Sequence, residues 1–122
     1  MSEQSFLVMP ITITRGVTFT DYVFIPSADD PAIGQDLTGY TLQAEVRCNG
    51  TLLATLTTTG NTAPPGTTSG QGWCQIYLDD ADAPTAGYYR GTWSLLASPD
   101  GNNPVMVAGG PVDIMSQGTV WV

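Results

Sequence analysis

Three aspartates crowd together at Asp79, Asp80 and Asp82, a density of carboxylates that would suit an oxygen-ligated cation such as calcium. The run lacks the spacing of an EF-hand loop and its closing glutamate, and acids at the start of a helical turn are accounted for by the helix dipole. No metal site is expected there. Asp29 and Asp30 make a second acidic pair. Glycoside hydrolysis needs two carboxylates opposed across a cleft, whereas adjacent acids between prolines read as a solvated loop. Cys48 and Cys74 invite either a sheet-to-sheet disulfide or a nucleophilic thiolate. The chain contains no histidine to lower a thiol's pKa, so both are expected to be free, buried thiols. Gly34, Gly39 and Gly70-Gln71-Gly72 precede no helix with a following Lys-Ser or Lys-Thr and read as turns rather than a phosphate loop. Trp73, Trp93 and Trp121, with Tyr88 and Tyr89, are the residues that could stack on sugar rings. Trp93 alternates with core positions and is expected to be buried. Trp73 and Trp121 stand near strand ends and are expected at an interface.

Composition narrows the chemistry further. The 122 residues hold eleven acids against three arginines, with no lysine, for a formal charge of -8. Such a surface has nothing with which to release counterions from a phosphate backbone, which excludes nucleic acid as a partner. Without histidine or lysine most general-base mechanisms lose their central residue, so the chain is expected not to be an enzyme: no catalytic residue and no cofactor is proposed. The apolar run Phe6 to Met9 follows no basic segment and is too short for a signal core or a membrane span. A soluble protein made in the cytoplasm, with reduced cysteines, is the expectation.

The elements that must position these residues are strands. β-Branched and aromatic residues alternate with polar ones over Ile11 to Thr14, Val17 to Ile25, Tyr40 to Cys48, Thr51 to Thr58, Trp73 to Leu78, Tyr89 to Ala97 and Val105 to Ile114. Tyr40, Leu42, Ala44, Val46 and Cys48 share one face, while Thr41, Gln43, Glu45 and Arg47 share the other. Asn49-Gly50 joins that strand to the next as a type I′ hairpin. Pro26 to Asp36 reads as an exposed loop and residues 59–72, rich in Thr, Gly, Ser and Pro, as a long flexible connection. Pro99-Asp100-Gly101-Asn102 is a turn. Asp79 to Gly87 is the one helical candidate, a single turn. One all-β domain over 1–122 is predicted: an antiparallel two-sheet, immunoglobulin-like sandwich of seven or eight strands with one short helical turn, and a closed barrel as the alternative. Residues 1–10 and 115–122 are possible terminal arms.

Two stretches, Ile11-Thr12-Ile13-Thr14-Arg15-Gly16-Val17-Thr18-Phe19 and Asp36-Leu37-Thr38-Gly39-Tyr40-Thr41-Leu42-Gln43-Ala44-Glu45-Val46-Arg47, together resemble the N-terminal β-sandwich module of the phage baseplate upper protein family. Later pieces follow in the order of that module: Ile76-x-Leu78, the acidic turn, Gly87-x-Tyr89, Pro99-Asp100-Gly101 and Gly110-Pro111-Val112-x-Ile114. The resemblance covers most of the chain. It implies a non-enzymatic virion protein whose sandwich anchors on other subunits at the base of tail or head fibres. Here the sandwich is followed by neither coiled-coil heptads nor collagen-like repeats, which shifts the expectation from a receptor-binding fibre to an adaptor, fibre base or head decoration protein.

The missing lysines point the same way. β-Proteins usually guard edges and outer faces with lysine, yet the outward positions here are mainly Thr, Gln, Ser and Asn. Neutral polar groups hydrogen-bond across an interface without the desolvation cost of charges. Phe6, Leu7, Val8, Met9, Trp73, Val120, Trp121 and Val122 are therefore the interface candidates, facing capsid, tail or fibre subunits, with homo-oligomers and no membrane. The expected place is the virion exterior, after assembly in the host bacterial cytoplasm, since an acidic protein lining packaged DNA would be repelled. A carbohydrate-binding or adhesive β-sandwich module is the alternative reading.

Overall fold

The computed structural model describes residues 6–84 and 90–116. Eight strands run through them: β1 (Leu7–Val8), β2 (Ile11–Thr14), β3 (Phe19–Phe24), β4 (Thr41–Cys48), β5 (Thr51–Gly60), β6 (Trp73–Leu78), β7 (Arg90–Ser98) and β8 (Val105–Met115). The all-β class holds. The strands form one continuous path, β1-β8-β7-β4-β5-β6-β3, with β2 also paired to β8. Two features depart from the expected pair of antiparallel sheets. β1 and β2 run parallel to β8, so the sheet is mixed. β5 serves both halves, since Thr51 to Leu56 pair with β4 and Thr57 to Gly60 with β6. A ten-residue strand, combined with the natural twist and a register shift at Val46/Arg47, curls the sheet around its own inner face.

That inner face is a single core. Val23 from β3, Cys74, Ile76 and Leu78 from β6, Ala44 and Val46 from β4, Trp93 and Leu95 from β7 and Val112 and Ile114 from β8 belong to one buried cluster. Each large apolar side chain removed from water there contributes roughly 1.5–3 kcal/mol. β4 has the predicted alternation: Ala44 and Val46 are buried, while Thr41, Gln43 and Arg47 are exposed. The hairpin after it is type I′, with φ 51° at Asn49 and 83° at Gly50. Trp93 is buried, at 2% exposure.

Other elements differ in extent. The expected strand from Val17 begins at Phe19, because Gly16 takes φ 80° and Val17 N–H donates to the Thr14 carbonyl in a turn. The helical turn is a three-residue 3-10 segment, Asp80–Asp82. Ala83 precedes Pro84 and is held extended, at φ -62° and ψ 147°, since a following proline disfavours the helical region. Gly87, Tyr88 and Tyr89 lie outside the described residues. Thr59 and Gly60 belong to β5 rather than to the connection, and the loop that follows is tied down by the bonds described below.

Candidate functional site

The first candidate surface is the edge where the N-terminal segment lies on β8. Leu7 pairs with Ala108 and Val8 with Gly109; the Met9 N–H then donates to the Gly109 carbonyl at 2.9 Å. The buried Trp93 indole N–H donates to the Met9 carbonyl at 2.7 Å. The crossing depends on Gly110, and the β7–β8 pairing beside it on Gly109. A Cβ at Gly110 would stand 2.7 Å from the Met9 carbonyl oxygen, and one at Gly109 the same distance from the Trp93 carbonyl oxygen. Backbone packs against backbone, and Met9 leans on the core.

What this crossing leaves outward is apolar. Phe6 is 43%, Leu7 46% and Val8 66% exposed, and no other strand among the described residues pairs with β1. Clefts open on both sides of it. One, of about 360 Å³, is lined by Phe6, Val8 and Met106, with Arg47 and Glu45 also at its wall; those two form an ion pair at 3.1 Å. The other, of about 510 Å³, is lined by Phe6, Leu7, Phe24, Val105 and Met106. Of the terminal interface candidates, Phe6, Leu7 and Val8 are therefore accessible together, while Met9 is half-buried. Val120, Trp121 and Val122 lie outside the described residues.

Trp73 belongs to a different surface. Its half-buried ring meets Phe24 edge-on, centroids 5.2 Å apart at 60°, as the Phe24–Trp73 register of β3 and β6 dictates. Beside this pair lies a groove of about 360 Å³ between the 26–36 and 61–72 loops. The loops are bonded to each other. Gln71 Nε2 donates to the Gly34 carbonyl at 2.7 Å, Ile25 N–H to the Gly72 carbonyl at 2.7 Å, and Thr62 N–H to the Trp73 carbonyl at 3.0 Å. A Cβ at Gly34 would stand 2.1 Å from the Gln71 carbonyl oxygen. Asn61 reaches across as well: its Oδ1 accepts the Leu37 N–H and its Nδ2 donates to the Asp36 carboxylate. Thr38 and Asn61 together hold Asp36 below the usual carboxylate range.

The remaining candidates are accounted for locally. Asp79 Oδ1 accepts the Ala81 N–H, capping the 3-10 turn. That bond holds Asp79 down, and the side-chain hydrogen bond Asp80 shares with Asp79, followed by the negative charge of Asp79, pushes Asp80 up. Asp30 Oδ1 accepts the Ala32 N–H, and the Asp29 N–H donates to Ser27 Oγ. Cys48 and Cys74 are unpaired. Cys74 is buried, and burial pushes its thiol up to about 11; Cys48, expected to be buried, is half-buried because it closes the β4–β5 hairpin. One feature escaped sequence reading: Phe24 has no signal of its own until the register places it opposite Trp73.

No family model matches the chain, and no curated protein does. Among solved structures, one from structure-based photo-crosslinking analyses of multimeric cell-adhesive interactions of VGSC beta subunits aligns over 98% of this chain and 99% of that one. The identity is 10% and the TM-score 0.47. A score below one half at that identity carries neither fold nor function across.

Proposed function

We propose that this chain is a bacteriophage virion structural protein, a non-enzymatic adaptor or decoration module that packs on the exterior of capsid or tail. The observation that carries the reading is the N-terminal edge: an exposed apolar strand between two clefts, one of them apolar and the other with an ion pair at its wall, on a chain without lysine to guard it. Edges of this kind recruit further strands. The resemblance to the baseplate upper protein module supports the same role. Within the proposal the curled sheet acts as an immunoglobulin-like sandwich. The order β3-β6-β5 followed by β4-β7-β8 supports this, since it is the B-E-D and C-F-G neighbour order of that architecture.

The formal charge of -8 favours an outer position, away from packaged DNA. The partners are other virion subunits and further copies of the chain. Co-sedimentation of the purified protein with tailless heads and with free tails, both from particles lacking it, tests the proposal. Saturable binding to one of the two is the expected result; binding to neither overturns it.

A further inference from the structure

The groove beside Phe24 and Trp73 is lined differently from the clefts at the N-terminal edge. Its walls combine the two aromatic rings and the exposed Ile33 with the hydroxyls of Thr67, Thr68 and Ser69 and the Gln71 amide. No charged side chain lines it. Rings next to neutral donors and acceptors are what a sugar needs, because a pyranose offers an apolar C–H face and a rim of hydroxyls. The volume, about 360 Å³, falls within the range of small-ligand clefts, roughly 300–1,000 Å³.

The groove is also held in shape before any ligand arrives. Gly34 and Gly72 pack backbone to backbone, a Cβ on Gly72 standing 2.4 Å from the Gly34 Cα. Pro26 and Gly34 form a β-bridge across the neck of their loop, and the Gln71 amide closes the two loops on each other. Fixed walls lower the ordering cost that weakens binding to mobile loops. Charge selects among sugars. The molecule is strongly acidic and Asp29 and Asp30 sit in the loop forming one wall, so an acidic polysaccharide is repelled.

We infer that the Phe24–Trp73 groove is a binding site for a neutral oligosaccharide, a function additional to anchoring and independent of it. The test is a titration of the whole protein, followed by tryptophan fluorescence and by calorimetry, with maltohexaose, cellohexaose, mannohexaose and chitohexaose, and with oligogalacturonate as the acidic counterpart. At least one neutral oligosaccharide is expected to saturate at or below about 1 mM, the range of a weak single site, with no binding of oligogalacturonate. Trp73→Ala is expected to weaken it roughly tenfold or more, the scale of one lost stacking contact. Because Trp73 also packs on Phe24, a second variant separates binding from folding: Thr68→Trp places bulk in the groove from an exposed position, abolishing binding while leaving the melting temperature in place. The inference is overturned if all four neutral oligosaccharides fail to saturate, if oligogalacturonate binds as well as they do, or if Thr68→Trp binds like the parent.

Discussion

The two candidate surfaces are built by opposite means. At the N-terminal edge a short strand is laid over a glycine pair and held by two ladder positions, one indole bond and one further backbone bond. At the Phe24–Trp73 groove, two long loops are tied to each other and to the ends of β3 and β6. The first leaves apolar side chains outward and the strand's other side unpaired among the described residues; the second leaves a concavity of aromatic rings and neutral polar groups. An edge of the first kind suits a protein partner that completes the sheet. A concavity of the second kind suits a small ligand.

The largest way to break the contrast is Gly34→Ala. The added methyl collides with a backbone carbonyl rather than a flexible side chain, so the loops must separate, at an expected cost of about 3 kcal/mol. Thermal unfolding measures the loss, and the N-terminal edge should keep its exchange protection. Gly110→Ala works on the other surface. Its methyl meets the Met9 backbone, which can shift because few bonds hold it, so an expected cost of about 1–2 kcal/mol follows. The sharper signature is local: hydrogen exchange at the Met9 amide should accelerate, while amides at Ile25 and Gln35 are unchanged.

Much of this was legible in the sequence where the determinants are local. The alternation through Tyr40–Cys48 and the Asn49-Gly50 turn specify a hairpin whose register needs no distant information. The parallel pairing of β1 and β2 with β8 was not legible, because it joins segments about a hundred residues apart and depends on the missing side chain at Gly110. The way the two halves join through β5 was not legible either, since nothing in Thr55 to Thr59 marks the residue at which a strand changes partners. Trp73 was singled out as an interface residue by its place at a strand end, but its partner Phe24 and the groove beside them emerge only from cross-strand register.

A smaller effect concerns the turn between β7 and β8. Asp100 accepts the Asn102 N–H, the Ser98 hydroxyl and both donors of Asn103, and these hold its carboxyl down to about 2. The folded value lies below the unfolded one, about 3.9. Its contribution to stability is therefore fully present above about pH 4 and lost as pH falls toward 2. Asp36, lowered by Thr38 and Asn61, acts in the same direction. Replacing Asp100 by Asn should flatten the acid limb of the stability profile, measured as denaturation midpoints between about pH 5 and pH 2.

In the proposed function the β1 edge docks other virion subunits, and Val8→Lys puts that docking to the test. Val8 is the most exposed apolar residue of that edge, at 66%, and a lysine there guards the edge in the manner of ordinary β-proteins without entering the core. Co-sedimentation of parent and variant with tailless heads and free tails should show saturable binding of the parent to one of them and at least a tenfold weaker binding of the variant, with equal melting temperatures. Equal binding of both proteins, or binding of neither, would overturn the proposed docking.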